Sequence, residues 1–193
     1  MSRWPIPDSW AWAQVQDFAE VVGGGTPTAS DASNFADDGT PWLTPADLSG
    51  FEGTYISRGA RSLSARGVAM SNARVLPAGS VLFSSRAPIG YTVVAANPIA
   101  TNQGFKSLIL PDGVVPEYVR YYLLASREYA ESLASGSTFK ELSGARMKEL
   151  LVPLPPTAEQ RRIVAKLDAL LASSRNTRAS LDAVPTLVEQ YRQ

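Results

Sequence analysis

Apolar residues recur in two rhythms along the chain, and the change between them predicts its layout. Ser80–Ser84 (SVLFS) follows the Pro77-Ala78-Gly79 turn, and Gly90–Ala95 (GYTVVA) follows Ala87-Pro88-Ile89. Both runs are short and rich in β-branched or aromatic residues, which predicts adjacent strands. Phe105–Leu110 (FKSLIL), closed by the Pro111-Asp112-Gly113 turn, is a third strand candidate. From Pro116 to Leu133 the period lengthens. Val119, Tyr122, Leu123, Ala130 and Leu133 fall at helical spacing while Arg120, Arg127, Glu128 and Glu131 take the other positions, which predicts one amphipathic helix. Ser143 is expected to cap a short helix through Leu150, after which VPLPP ends the domain at Pro155-Pro156. Upstream, Trp10–Val22 alternates weakly until Gly23-Gly24-Gly25, Pro27–Gly39 reads as a surface loop, and PWLTPADL re-enters the core through Trp42 and Leu43. The fold class expected is mixed α/β (α+β), with a small sheet and flanking helices in residues 1–156 and a long helix in residues 157–193.

That helix announces itself twice. Thr157 with Gln160 three residues on has the form of a capping box. Steps of four and three from Ile163 then reach Leu167, Leu170, Ser174, Thr177, Leu181, Val184, Val188 and Tyr191, a seam apolar at seven of nine positions. A helix packed on its own domain is the competing explanation; the sustained 3.5-residue spacing favours an inter-helix seam. Pro185 lacks an N–H and is expected to kink or stop the helix near Val184.

The length of 193 residues suits one domain plus an appendage, and 45% apolar residues suffice for a core. Cysteine and histidine are both absent, which removes disulfides, thiol catalysis, most hydrolase triads and the usual zinc and iron ligands. No catalytic residue, metal ligand or cofactor is therefore assigned. No run approaches the roughly 18 apolar residues of a membrane span, and Met1–Trp10 lacks an apolar signal core, so a soluble, cytoplasmic protein is expected.

Charge changes the picture more. The 18 Lys plus Arg balance 18 Asp plus Glu, yet no acid lies between Glu52 and Asp112, where Arg58, Arg61, Arg66, Arg74, Arg86 and Lys106 stand. Asp31, Asp37, Asp38, Asp47 and Glu52 crowd just upstream. Arginine dominates the bases, and its planar fork suits phosphates and guanine edges. The partition favours nucleic acid as partner; the alternative is a solvated basic face paired with the upstream carboxylates.

The loops supply further candidates. GGGTPT (Gly23–Thr28) lacks the spaced glycines and the Lys-Ser/Thr of a nucleotide-binding loop. SSRAPIG (Ser84–Gly90) and SGSTFK (Ser135–Lys140) set small hydroxyls beside a base, which suits phosphate oxygens, although ordinary turns look the same. Thr101-Asn102-Gln103 brings two amides before a strand, where they either pair with adenine or cap the strand end. No catalytic Asn-Pro-Pro-aromatic tetrapeptide occurs, since Asn97-Pro98 continues as Ile99-Ala100. The candidate DNA-binding set is Thr26, Thr44, Arg58, Arg61, Arg66, Arg74, Ser85, Arg86, Asn102, Gln103, Lys106, Ser137, Thr138 and Lys140.

Taken in order, Trp10–Thr28, PWLTPADL (Pro41–Leu48), ARVLPAGSVLFSSRAPIG (Ala73–Gly90), TNQGFKSL (Thr101–Leu108) and ASGSTFKELSGARMKELLVPLPPTAEQRRIV (Ala134–Val164) resemble blocks of the specificity subunit of type I restriction-modification enzymes. The resemblance implies a target-recognition domain whose loops enter a DNA groove, followed by a helix that spaces two half-sites. It also implies methyltransferase subunits bound around the helix, methylating adenine, and indirectly a motor subunit that cleaves DNA. Whole subunits of the family carry two domain-plus-helix units. No internal repeat is visible here, so one unit is expected, a half-subunit or a fragment. Such a unit restores the second by homodimerising. With antiparallel seam partners summing to 351, Ile163 meets Val188, Leu167 meets Val184, Leu170 meets Leu181 and Ser174 meets Thr177. Helices of roughly 40 Å to Val184 then separate two recognition domains. Two other classes compete: an enzyme acting on nucleic acid or a small phosphate, and a helix-mediated interaction module or DNA adaptor without base readout.

Overall fold

The computed structural model describes residues 4–136 and 140–191. The chain opens with β1 (Ala11–Gln14), α1 (Val15–Phe18) and β2 (Glu20–Gly23), then runs through β3 (Phe35–Leu43), β4 (Tyr55–Ile56), β5 (Arg61–Leu63) and α2 (Ala65–Ala69). Next come β6 (Val81–Ser85), β7 (Ile89–Ala95), β8 (Ala100–Thr101) and β9 (Phe105–Ile109). The C-terminal third holds α3 (Pro116–Ala125), α4 (Arg127–Leu133), α5 (Gly144–Glu149), β10 (Leu151–Leu154) and α6 (Thr157–Tyr191). The result is the expected mixed α/β domain followed by a long helix.

The three strands expected from their apolar runs form the centre of a five-stranded sheet ordered β2-β9-β6-β7-β4. β6 pairs antiparallel with both β7 and β9, so both its edges are hydrogen-bonded, and with a core on each face every residue in it is buried. Its side chains alternate between two cores, as the strand period requires. Val81 and Phe83 join Leu108, Val119, Leu123 and Met147 under the helices. Leu82 faces Leu43, Val93, Ile99 and Phe105 on the other side. Trp42 and Leu43 are buried as expected, and β3 lies between β5 and β8 in a second, three-stranded sheet.

Several elements depart from the sequence reading. The supposed loop Pro27–Gly39 becomes strand from Phe35, because β3 is bulged: Phe35 and Thr40 both face Leu63, and the residues between carry no apolar alternation. The helix expected over Pro116–Leu133 is two helices that part at Ser126, whose backbone (φ −97°, ψ 16°) leaves the α region. The first three residues of VPLPP belong to β10 (Leu151–Leu154), paired with β1; a two-stranded ribbon leaves one edge of each strand free, where Pro153 is tolerated.

The start of α6 differs in a more useful way. Thr157 is not an N-cap and no capping box forms, since the first helical amides reach the carbonyl of Pro156. The Thr157 hydroxyl instead donates to the Gly113 carbonyl at 2.6 Å. Gln160, only 3% exposed, accepts from the Val115 amide at 2.8 Å and donates to the Pro155 carbonyl at 2.9 Å. Trp10 Nε1 donates to Glu159 at 3.1 Å, and the Tyr121 hydroxyl donates to Asp168. Polar side chains that look like helix-starting signals therefore bolt the helix to the sheet domain. Nor does α6 stop at Val184: it continues to Tyr191, because the missing N–H of Pro185 removes one bond from a 35-residue ladder.

Candidate nucleic-acid interface

Three loops singled out in the sequence meet where β6 ends and β9 begins. The Ser85 amide and hydroxyl both donate to the Gly104 carbonyl, at 2.7 and 3.1 Å. The Leu142 amide donates to the Ser85 carbonyl at 2.9 Å, bringing in the segment after Ser135. The turn between β6 and β7 is held by Ser84, whose hydroxyl donates to the Pro88 carbonyl at 2.7 Å and accepts from the Tyr91 amide at 2.8 Å. On the other side the glycine loop packs in. The Gly25 amide donates to the Thr101 carbonyl at 2.9 Å, and the Thr26 hydroxyl donates to the Gln103 side chain.

The amides divide the two roles left open for them. Asn102 Oδ1 accepts from the Gly104 amide at 2.9 Å, which caps the turn into β9. Gln103 stays exposed beside Thr26. Ser85 is fully buried, so it supports the cluster from beneath. Thr44 donates its amide and hydroxyl to Asp47, both at 2.7 Å, and Asp47 also accepts from the Ala60 amide at 2.8 Å. Lys140 is exposed at the edge of the cluster, whereas Ser137 and Thr138 lie outside the described residues.

The acid-free segment is largely neutralised by partners from elsewhere. Arg86 and Lys106 share Glu141, at 3.6 and 3.2 Å, and Lys106 also reaches the Ser85 hydroxyl at 3.4 Å. Arg74 pairs with Glu20, whose hydrogen bond and charge raise the guanidinium pKa further. Arg66 sits 3.6 Å from Asp31, whose own carboxyl is lowered first by hydrogen bonds from Ser33 and least by Arg66. Arg61 stacks over the Phe35 ring, 3.3 Å from its centroid. Arg58 is exposed and makes no ion pair among the described residues. Among the described residues, Asp31 is the one of the upstream acids that joins in. Apart from Lys106, whose side chain is mostly buried, the partners are exposed or half-exposed, where ion pairs contribute about 0–1 kcal/mol and exchange readily for another anion.

Arg120 was expected on the polar face of a helix and is instead 9% exposed. Its guanidinium donates to the carbonyls of Thr92 (3.1 Å) and Gly53 (3.3 Å), tying α3 to β7 and to the loop before β4, and burial lowers its pKa. Spacing gave no signal for this, because the acceptors are backbone atoms. Glu20 and Glu141 were also missed, each distant in sequence from the base it holds. An open depression of about 560 Å³ beside β3 has Asp38 as its one ionisable lining residue, and no group of His, Cys, Asp or Glu among the described residues is placed to hold a metal.

A family model described as the type I restriction modification DNA specificity domain matches residues 7–185. The MjaIX type I restriction enzyme specificity subunit of Methanocaldococcus jannaschii is 43% identical over 165 residues, which is 84% of this chain and 38% of that one. The HsdS subunit from Thermoanaerobacter tengcongensis superposes with a TM-score of 0.71 at 25% identity, over 92% of this chain and 41% of its own. A second solved chain, described for complex assembly and conformational transition of the type I R-M system, gives a TM-score of 0.74 at 27% identity, over 94% and 44%. The chain thus spans less than half the length of each of these relatives.

Proposed function

Because the chain belongs to the type I restriction-modification DNA specificity family, we propose that it is a recognition-and-spacing unit of such a complex, non-catalytic itself, which directs adenine methylation and restriction by partner subunits to one DNA sequence. The observation that carries the reading is the convergence of the Thr26, Arg86, Gln103 and Lys106 loops on one face within the matched residues. Residues 1–156 read duplex DNA; Arg58, Arg61, Arg66, Arg74, Arg86 and Lys106 form its electrostatic footprint. Each phosphate contact adds about 0.9 to the slope of log affinity against log salt, so five or six give a steep titration. A flat titration contradicts the reading, and favours an interaction module whose arginines only solubilise it.

Residues from 157 onward space the half-sites and dock methyltransferase subunits, together with α5. A homodimer through α6 is supported by a seam left open in the single chain: Leu170, Leu181 and Val184 are 54%, 65% and 46% exposed. Two features narrow the expected register. Ile163 packs on the domain core and Leu167 is half-buried, so the seam begins in earnest at Leu170. The Thr177 hydroxyl already donates to the Ser173 carbonyl at 3.0 Å, so its hydrogen bond is made within its own helix and does not need Ser174 across the seam. The antiparallel register summing to 351 therefore rests on Leu170 opposite Leu181 and on Ser174, with the Val188 side chain outside the described residues.

A further inference from the structure

We infer that Glu141 is an internal stand-in for a DNA phosphate, a latch that keeps Arg86 and Lys106 occupied until a duplex displaces it. The inference rests on the reading that this face binds DNA. A phosphodiester presents one negative charge on two free oxygens, and so does a carboxylate. Glu141 uses them separately: Oε2 faces Arg86 at 3.6 Å and Oε1 faces Lys106 at 3.2 Å. The carboxylate is aimed by its backbone, which exchanges two hydrogen bonds with Ser135 (2.9 and 3.1 Å), while Leu142 next to it donates to Ser85. Lys106, its side chain 14% exposed, is held from behind by the Ser85 hydroxyl. Among the described residues Glu141 is the one acid that serves two bases, whereas Asp31 and Glu20 each hold one.

Where other contacts are good, displacing the latch is repaid; on a duplex that offers none it stays shut and withholds Arg86 and Lys106 from the phosphates. It therefore suppresses non-specific binding, which is almost wholly electrostatic. The Arg86 and Glu141 side chains are 35% and 39% exposed, so a phosphate can reach that pair and exchange with the carboxylate.

The test is a salt titration of the full chain and of Glu141→Gln on a duplex of scrambled sequence. The variant is expected to bind more tightly, with a slope steeper by about 0.9 per freed base, so that its advantage shrinks about 3.5-fold per freed base between 50 and 200 mM salt. Glu141→Ala should behave alike, which guards against a folding fault peculiar to one variant. In a chain carrying Arg86→Gln and Lys106→Gln, the gain should vanish. Unchanged affinity and slope, or a gain that persists in that neutralised chain as simple repulsion would, overturns the latch. If the parent chain itself binds no duplex, the reading beneath the latch fails as well.

Discussion

Gly24 owes its place to what it lacks. A Cβ there would lie 2.0 Å from the Asn102 carbonyl oxygen and 2.4 Å from that of Thr101, both backbone atoms that cannot swing away. Gly24→Ala should cost about 2 kcal/mol or more in a denaturant titration, as overpacking against fixed backbone does, and should weaken DNA binding by parting Thr26 from Gln103. Arg120 makes the opposite case, a charge retained for its geometry. Arg120→Met leaves the Thr92 and Gly53 carbonyls without that donor, and the expected loss is about 2–3 kcal/mol. Its DNA salt slope should stay unchanged, because the guanidinium is buried. Asp31 gives a pH signature. Its carboxyl is held below the ordinary value of 3.8, so the stability it lends is present above that pH and lost as pH falls through the lowered value. Asp31→Asn should flatten that part of the acid-unfolding curve.

Among the elements, the first turns of α6 decide where the chain can be cut. Gln160 satisfies the Val115 amide and Ile163 and Val164 pack on the core, so removing everything from Thr157 onward would damage the domain itself. Gln160→Ala should lower stability by about 1–3 kcal/mol, read by thermal or chemical unfolding, because a buried amide loses its acceptor. A chain ending at Leu171 should instead keep the domain folded and DNA-binding while losing assembly through the helix. The strands β6, β7 and β9, the caps on α5 and the long helix were legible in the sequence, since each is set by local period or local capping. What was not legible depended on distant partners. β10 needed β1, the bulge in β3 needed Leu63, and Thr157 and Gln160 were read as partners of each other when their bonds go to Gly113, Val115 and Pro155. The candidate interface was half legible: the motif loops do meet, but Glu141 and Glu20, which hold its bases, carried no spacing signal.

For the whole molecule, a 35-residue helix is about 52 Å long and is fixed to its domain at one end. Pairing two such helices antiparallel carries a recognition domain to each end of a two-fold assembly, and two inverted half-sites would then be read across a fixed spacer. Sedimentation at micromolar concentration should find a dimer, and a chain with Ser174→Cys plus Thr177→Cys should cross-link between copies; a monomer that never cross-links ends the homodimer while leaving the recognition domain intact. The central claim, that this chain is a sequence-specific DNA address, is tested most directly by letting the purified chain select duplexes from a random-sequence library and sequencing those retained at physiological salt. The account predicts enrichment of a single half-site, occurring as an inverted pair at one spacing when the chain is dimeric. Retention of duplexes with no shared sequence would contradict it.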